Sequence, residues 1–468
     1  MSLPNQIHPF HVVGAGSQYQ VARSLRFRKS NSAYLSRTPS GAGNRQTWTW
    51  SGWVKFASIV STDYPTLFMG GATQSDTGAL RIGIGTNNLV VQGYNTNFIV
   101  SSQVFRDPSA WYHILIAFDT TQATASNRLK AYVNGTQITA FGTDNRASLT
   151  QNTNYGINQA ALHRIGYESA TFGSTYSDFY LGEYYFIDGQ ALTPSSFGTT
   201  DSVTGAWIPT RYTGTYGTNG FYLPFSDNSG ATATTIGKDS SGNGNNWTPS
   251  GISVTAGTTN DSLVDSPTSY GSDTGAGGEA RGNYCTINPL RKSASIAISN
   301  GNLYIDGNSG SVQWESIAST FLVKTGKWYF EFLVSSTYAA GNHMVGLARE
   351  DVNWSSSGQH YLTENSATGK ALDQNSTTND VVCVAFDMDL GYAWGTRNAS
   401  LGTNPTNGLS PDATFSTAYY WGPAFSMVCG RNNTGWANFG QRPFAYTAPS
   451  GFKALCTQNL PTPTIGLY

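Results

Sequence analysis

The residues that could carry hydrolytic chemistry in this sequence are its acidic pairs. Glycosidases use two carboxyl groups about 5–10 Å apart on a shared face. Glu183 and Asp188 lie in one predicted strand, but their odd offset of five residues places them on opposite faces. Asp387 and Asp389 share a face, yet they directly precede the turn at Gly391, where a structural role is the simpler interpretation. The sequence therefore predicts no catalytic carboxylate pair, and we expect no enzyme activity.

Other catalytic and cofactor signatures are missing as well. Neither a GxSxG nucleophile elbow nor a GxxxxGK phosphate loop occurs. The six histidines show no ligand spacing, and the four cysteines are far apart without a CxxC motif, so we assign no disulfide, metal site or cofactor. The loop at residues 239–246 offers oxygen atoms that calcium could use, but a chain of Asx turns is the stronger interpretation.

What remains is binding through aromatic and polar side chains. Sugar rings stack on aromatic faces, while amides and carboxylates exchange hydrogen bonds with sugar hydroxyls. Most aromatic residues here fit strand cores, so the better candidates lie in loops without periodicity. These candidate ligand-binding residues are Asp63, Tyr64, Tyr94, Asn95, Trp354, His360 and Tyr361. For each of them, a side chain that packs its own loop is the competing interpretation.

The composition is typical of an all-β protein with an uncharged polar surface. Charged residues make up 11% of the 468 residues, and 52 residues are glycine, whereas ordinary globular proteins contain about 25% charged residues. The formal net charge of −1 provides no electrostatic footprint for nucleic acid. We interpret the basic cluster at residues 23–29 as the solvated side of the first strand.

Targeting signals also bear on the class of protein. Residues 1–16 lack a basic leader followed by an apolar run, so we expect no signal peptide. No stretch approaches the roughly 20 apolar residues of a membrane span. We therefore expect synthesis in a cytoplasm and release by another route, such as lysis.

The sequence pattern predicts that strands position the candidate binding residues. Trp48, Trp50, Val54 and Phe56 alternate with polar residues, as in a half-buried strand whose aromatic face a second sheet covers. Short alternating runs separated by Gly, Asn, Asp and Ser turns continue through residues 23–225, which is typical of a β-sandwich.

A second series of strands follows residue 284. Trp328, Phe330 and Phe332 share one face of a strand, and Cys383 lies in an apolar run that predicts a core position. Between the two series, the Asx- and Gly-rich residues 226–284 predict a connector. Within it, residues 250–284 are rich in Gly, Ser, Thr and Asp, so we expect no packed core there.

The order of these strands resembles two domains of bacteriophage structural proteins. Residues 111–119, 129–135 and 182–189 are similar to the WxHi…D strand, the LYVNG hairpin and the gEi…iDG strand of laminin-G-like, concanavalin-A-like lectin domains. Residues 327–332 and 438–444 are similar to the GKWYFE strand and the NFGQRPF segment of a SPRY domain. The resemblance implies an all-β fold with two antiparallel β-sandwich domains of jelly-roll, lectin-like type.

The predicted organisation therefore has five segments. They are an N-terminal virion-anchoring arm at residues 1–22, a laminin-G-like sandwich at residues 23–225, a connector at residues 226–284, a SPRY-like sandwich at residues 285–458 and a C-terminal tail at residues 459–468.

The resemblance also implies a function. The first expectation is a tail fibre or receptor-binding protein in the tail of a phage virion, which attaches to host surface carbohydrate and gains avidity from several copies. The alternative is a head fibre or capsid decoration protein, and a polysaccharide hydrolase is the third choice. The implied partners are other virion proteins, reached through the arm, host surface carbohydrate and further copies of the chain, for instance as a trimer. Nucleic acid, membrane insertion and cofactors are not expected.

Overall fold

The computed structural model describes residues 19–57, 65–71, 73–169, 172–202, 204–310, 312–352, 354, 362 and 368–461. These residues form two compact units. The first unit runs from residue 19 to Thr255 and also takes in Thr259–Thr268, and the second unit comprises Ala256–Thr258 and the described residues from Ser269 onward. Residues 1–18 of the expected arm and residues 462–468 of the expected tail lie outside the described residues.

The first unit is built from short strands. They are β1 (Ser24–Phe27), β2 (Tyr34–Arg37), β3 (Thr47–Phe56), β4 (Thr66–Gly71), β5 (Ala79–Gly85), β6 (Asn88–Gln92), β7 (Asn97–Val104), β8 (Trp111–Asp119), β9 (Leu129–Val133), β10 (Thr136–Gln137), β11 (Phe141–Asp144), β12 (His163–Ile165), β13 (Phe179–Asp188), β14 (Gly198–Thr200), β15 (Trp207–Pro209), β16 (Phe221–Leu223), β17 (Thr248–Ser250) and β18 (Ser262–Leu263). Single 3₁₀ turns occur at Lys29–Asn31, Ala125–Asn127, Arg146–Ser148 and Pro194–Ser196.

Two eight-stranded antiparallel sheets make up this unit. The first has the order β10-β9-β8-β3-β13-β1-β18, with β16 also paired to β13, and the second has the order β11-β7-β6-β5-β4-β12-β2-β17. The strands β14 and β15 form a separate small ribbon. The Trp-rich strand β3 lies at the centre of the first sheet, between β8 and β13.

The main core of the first unit lies between the two sheets. Trp48 stacks on Phe118 within the first sheet, with ring centroids 4.7 Å apart. Phe68 comes from the second sheet and packs 5.5 Å from Phe186 of the first. Aromatic side chains of this size dominate the energetics of a core. The predicted all-β sandwich, with a second sheet covering the aromatic face of β3, is confirmed.

The opposite face of β3 is buried too, so the prediction of a half-buried strand was wrong. Lys55 is fully buried, and its Nζ lies 2.8 Å from Oδ2 of the equally buried Asp265. Further along the strand, a smaller apolar cluster that includes Phe197 and Tyr212 covers this side of the first sheet. A polar residue can point into protein when a distant segment brings the matching charge, and alternation alone cannot show this.

The expected connector at residues 226–284 is divided between the two units, and much of it is packed. Ile236 and Trp247 belong to the main core of the first unit. The strands β17 and β18 extend the edges of its two sheets. In the second unit, Tyr284 is fully buried. The polar residues of this segment form turns. A few apolar residues between them, such as Ile236 and Trp247, pack into a core and hold the segment in place.

The basic cluster at the first strand is largely buried, which corrects the expectation of a solvated face. Nε of Arg26 lies 3.1 Å from Oδ1 of Asp261, and Nε of Arg28 lies 2.7 Å from the same atom. Asp261 is fully buried. The aspartate comes from the segment that was expected to be a connector, so this ion-pair group anchors that segment to β1.

The second unit has its own strands. They are β19 (Ile287–Lys292), β20 (Ala297–Ser299), β21 (Tyr304–Asp306), β22 (Trp314–Ser319), β23 (Lys327–Ser336), β24 (His343–Arg349), β25 (Gly369–Asp373), β26 (Val381–Asp387), β27 (Tyr392–Arg397), β28 (Ala413–Thr414), β29 (Trp421–Val428), β30 (Thr434–Asn438) and β31 (Lys453–Ala454). One α-helical turn, α1 (Asn404–Asn407), and a 3₁₀ turn at Thr457–Asn459 complete it. No helix in the described part of the chain is long and apolar enough to cross a membrane.

These strands again form two sheets. One has the order β19-β22-β29-β24-β25, and the other has the order β20-β21-β30-β23-β26-β27-β28, with β31 added parallel to β23. Phe332 of β23 stacks on Phe425 of β29 with centroids 4.7 Å apart, so the two sheets face each other across an aromatic core. Cys383 is fully buried, as the apolar run predicted, and all four cysteines are buried free thiols.

Candidate functional site

The loop residues selected from the sequence are not brought together by the described structure. Asp63, Tyr64, His360 and Tyr361 lie outside the described residues. The remaining three lie in different units, as Tyr94 and Asn95 belong to the first unit and Trp354 to the second.

Tyr94 and Asn95 form the turn between β6 and β7. Oδ1 of Asp76 accepts a hydrogen bond from the backbone N–H of Asn95 at 2.6 Å, which fixes the backbone of the turn. The ring of Tyr94 is half-buried and packs edge-on against Phe172, 6.3 Å away. Asn95 is exposed. The tyrosine therefore packs its own neighbourhood, and only the asparagine side chain projects from this turn.

Trp354 is buried in the second unit, with 5% of its surface exposed. It belongs to a small apolar cluster that also contains Ala348 and Leu362. The guanidinium of Arg291 lies 5.7 Å from its ring centroid. A ring with this degree of burial offers little face to a ligand, so Trp354 is placed as a packing residue.

An open cleft on the first unit brings together a different set of aromatic and polar side chains. Its volume is about 740 Å³. One wall is the loop between β15 and β16, and the other is the loop that follows Asp239. The lining residues are Arg211, Tyr212, Thr213, Gly214, Thr215, Tyr216, Gly217, Thr218, Ser240, Ser241 and Asn243. We call this site the tyrosine cleft.

The first wall of the tyrosine cleft is braced by its own rings. Tyr212 is buried, stacks on Phe197 at 5.2 Å and donates a hydrogen bond from its hydroxyl to the carbonyl of Thr215 at 3.0 Å. Tyr216 packs edge-on against Tyr212, also at 5.2 Å, and remains half-buried. Gly217 has φ +73°, and a Cβ there would overlap the carbonyl oxygen of Asp188. Glycine is therefore required for this loop to approach β13.

The second wall is a chain of Asx turns, as the sequence predicted. The Asp239 carboxylate accepts hydrogen bonds from the backbone N–H groups of Tyr222, Ser241 and Asn245 at 2.8–2.9 Å, and a further one from the Ser241 hydroxyl at 2.8 Å. These donors occupy the oxygen atoms that a calcium ion would need. Within the described residues, no group of three or more His, Cys, Asp or Glu side chains is placed to hold a metal.

The two walls are tied together through backbone carbonyl groups. Nδ2 of Asn243 donates to the carbonyl oxygens of Gly217 and Gly220, at 2.7 and 2.9 Å. Nδ2 of Asn245 donates to the carbonyls of Thr218 and Gly220, at 3.0 and 2.8 Å. The shape of the cleft is therefore fixed before any ligand arrives, which lowers the entropic cost of binding.

Beside the cleft, a buried carboxyl group is surrounded by tyrosine hydroxyls. Oε1 of Glu183 accepts a hydrogen bond from Tyr222 at 2.8 Å, and Oε2 accepts from Tyr185 at 2.6 Å and from Tyr19 at 2.8 Å. Glu183 lies at a register shift of β13 and has φ +50°. Burial raises the pKa of Glu183, and the three hydroxyl groups oppose that rise. The contact with Tyr19 also fastens the end of the expected arm to this unit.

Arg211 contributes the one charged side chain among the residues that line the cleft. It is exposed, and its guanidinium lies over the ring of Tyr222, 4.9 Å from the centroid. In the described part of the chain, no carboxylate lies within ion-pair distance of it. The cation–π contact with Tyr222 therefore holds the guanidinium in place, and the charge of Arg211 opposes the rise that burial causes in the pKa of the nearby Glu183.

The acidic residues considered for hydrolysis have separate structural partners. Asp188 accepts hydrogen bonds from the backbone N–H groups of Asn44 and Asn219 and from Nδ2 of Asn158, none of which contacts Glu183. Asp387 is fully buried, and its Oδ1 accepts two backbone N–H bonds from the turn that follows β26. Each carboxylate thus fixes backbone, which is the structural role that the sequence favoured for Asp387.

A Ser–His contact next to β3 is structural as well. Nε1 of Trp207 donates to Nδ1 of His113 at 3.1 Å, so the proton of the neutral ring is on Nε2, which then donates to Oγ of Ser51 at 2.8 Å. A ring that donates to the serine cannot take its proton. Burial lowers the pKa of His113 to about 3, which keeps the ring neutral.

Sequence reasoning missed the residues of the tyrosine cleft. The segment 211–218 lies at the end of the first series of strands, and its Tyr, Thr and Gly residues have no apolar period. That lack of periodicity was the criterion applied to the other loops and would have selected Tyr212 and Tyr216. The convergence of this segment with residues 240–243 has no signal in the sequence.

Of the known proteins compared with this chain, only solved structures show similarity to it. No family model matches the chain, and no curated protein matches it. The SPRY domain of human HERC1 is 16% identical, with 32% of this chain and 96% of that chain covered and a TM-score of 0.25. A heptameric SAP-like pentraxin from Limulus polyphemus is 15% identical, with 37% and 78% covered and a TM-score of 0.28.

A third solved structure covers more of the chain. It is a protein from Bacteroides ovatus, provisionally described as carbohydrate-binding, with 15% identity, 49% of this chain and 58% of that chain covered and a TM-score of 0.31. TM-scores this low support no functional inference for this chain, so function has to be argued from the site itself.

Proposed function

We propose that this chain is a carbohydrate-binding protein without catalytic activity, and that its first unit holds a saccharide in the tyrosine cleft. The observation that carries the proposal is the lining of the cleft, where the half-buried ring of Tyr216 meets hydroxyl, amide and guanidinium groups in a pre-formed, open site. Sugars need an aromatic face for the ring and hydrogen-bond partners for the hydroxyls. The volume of about 740 Å³ falls within the usual range of small-ligand sites, about 300–1,000 Å³.

The absence of catalysis is part of the proposal. Glu183 and Asp188 are the carboxylate pair considered for glycoside hydrolysis. In the described structure, the hydrogen-bond partners of Glu183 differ from those of Asp188. Of the described residues that line the cleft, none carries a carboxylate. A glycosidase needs two, so binding is the better-supported function.

The proposed setting is the virion of a tailed bacteriophage, where the protein acts as a tail fibre or receptor-binding protein that attaches to host surface glycans. This part rests on the sequence resemblance, with the N-terminal arm as the contact with other virion proteins. Weak single sites gain avidity when several copies act on one particle. A head fibre or capsid decoration protein is the alternative setting, and the same cleft would serve it.

The binding proposal is tested with Tyr216→Ala on a panel of bacterial surface oligosaccharides. We expect the wild type to bind at least one of them and the variant to bind about 5–20-fold more weakly, because the stacking face is lost. Tyr216→Phe keeps that face and should bind like the wild type. Tyr338→Ala is the matched control, since Tyr338 is 61% exposed and lies outside the cleft lining.

Two outcomes would contradict the proposal. One is a failure to bind any oligosaccharide even when the protein is multimerised. The other is release of reducing ends from a bound polysaccharide, which would establish hydrolysis. The setting has its own test, since cryo-electron microscopy of the particle should place this chain at the tail, and density on the head would favour the decoration protein.

A further inference from the structure

We propose that the saccharide held in the tyrosine cleft carries an anionic group, and that Arg211 binds it. This deepens the proposed function and rests on it. The ligand class is an acidic oligosaccharide, with a carboxylate, sulfate or phosphate group placed beside the ring that stacks on Tyr216.

The cleft carries a positive charge, which favours an anionic ligand. Arg211 is the one charged residue among those that line it, and it is exposed. In a protein with 11% charged residues and a formal net charge of −1, a positive side chain in a cleft is not explained by the composition. A single cation in a concave site attracts anionic ligands more strongly than the same charge on a convex surface.

The carboxylates near Arg211 already accept hydrogen bonds from the protein. The oxygen atoms of Asp239 accept four hydrogen bonds from the protein. Glu183 is buried, with both oxygens bonded to tyrosine hydroxyls. Neither carboxylate is within ion-pair distance of Arg211 in the described structure, so the guanidinium donors can pair directly with a ligand.

The guanidinium of Arg211 is held in place by the ring of Tyr222. The ring of Tyr222 lies 4.9 Å below it, and the same tyrosine is fixed by stacking on Tyr185 at 4.4 Å and by its bond to Glu183. An arginine positioned in this way loses little freedom on binding. Its planar donors match the oxygen pairs of carboxylate, sulfate and phosphate groups.

The experiment uses the full chain and matched pairs of acidic oligosaccharides and their neutral forms. Uronic acid members are compared with their carboxyl-reduced forms, and sulfated and phosphorylated members with their desulfated and dephosphorylated forms. We expect each bound acidic member to bind about 10–100-fold more tightly than its neutral form, and the difference to shrink as salt concentration rises. The type of pair that shows the difference identifies the anionic group.

Variants assign the effect to Arg211. Arg211→Gln should remove the preference for the acidic member, and Arg211→Lys should keep part of it. Arg164→Gln is the matched control, because Arg164 also lies over a tyrosine ring, that of Tyr167 at 5.4 Å, but outside the cleft. It should bind like the wild type.

The outcomes separate this inference from the function on which it rests. Equal binding of acidic and neutral members, with no effect of Arg211→Gln, would overturn the inference and leave carbohydrate binding intact. A preference for acidic members that survives Arg211→Gln would also overturn it. Failure to bind any oligosaccharide would overturn both.

Discussion

Replacement of Asp261 by Asn is expected to destabilise the first unit strongly. The aspartate is fully buried, and it compensates two guanidinium groups, with its Oδ1 3.1 Å from Nε of Arg26 and 2.7 Å from Nε of Arg28. Asparagine keeps the shape but removes the charge. Breaking a buried ion pair from one side costs about 3–5 kcal/mol, and a domain has a total stability of about 5–15 kcal/mol. The substitution should therefore remove a large share of the stability of this unit.

The assay is urea unfolding followed by pulsed hydrogen exchange and mass spectrometry, which reports on each unit through its own peptides. We expect peptides of the first unit to unfold at a markedly lower urea concentration in Asp261→Asn, while peptides of the second unit are unchanged. Asp227→Asn is the control, since Asp227 only caps its own turn at Ser229. If the two variants unfolded alike, the packing of Thr259–Thr268 into the first unit through Asp261 would be refuted.

Three further predictions concern the carboxyl cluster, the cysteines and the shape of the cleft. Burial raises the pKa of Glu183 above the ordinary 4.5, so the native state holds this proton more tightly than the unfolded state, and stability should fall as pH rises from about 4.5 through the raised pKa. Glu183→Gln should flatten that part of a urea-stability profile against pH, and an unchanged profile would contradict the burial of the carboxyl group. Burial raises the pKa of Cys456 to about 12, and all four cysteines are buried, so a thiol reagent at pH 8 should label no cysteine in the native protein and four in denaturant. Rapid labelling of the native protein would show an exposed thiol. Gly217→Ala should weaken saccharide binding because its Cβ would overlap backbone, whereas Gly205→Ala, at a similar φ of +70° with open space around it, should bind like the wild type. Equal affinities in a titration would show that the loop geometry does not form the site.

The fold class could be predicted because the buried face of a strand appears in the sequence as apolar residues at every second position. Trp48, Trp50, Val54 and Phe56 alternate with polar residues, and all four lie in the main core between the two sheets. A period of two residues needs no knowledge of the partner strand. The same reasoning located the strands of the second unit.

Burial of charged residues could not be predicted in this way. Lys55 pairs with Asp265, 210 residues later, and Arg26 pairs with Asp261, 235 residues later. A lysine that faces solvent and a lysine that faces a buried aspartate look the same in an alternating pattern. These partners lie in the polar segment after the first sandwich, whose composition alone predicts a connector.

The candidate site shows the same limit. Tyr216 could be recognised as a loop aromatic, but its approach to Asn243 depends on hydrogen bonds from that asparagine to the carbonyls of Gly217 and Gly220. Such contacts between two loops have no periodic signal. Two of the hydroxyl groups around Glu183 likewise come from distant positions, as Tyr19 and Tyr222 are 164 and 39 residues away in the sequence.

The most direct test of the central claim is a crystal structure of the full chain with the oligosaccharide that binds best in the panel. We expect a sugar ring on Tyr216 in the tyrosine cleft, with its anionic group at Arg211. An ordered saccharide elsewhere, for instance beside the exposed Tyr338 of the second unit, with the cleft empty would contradict it.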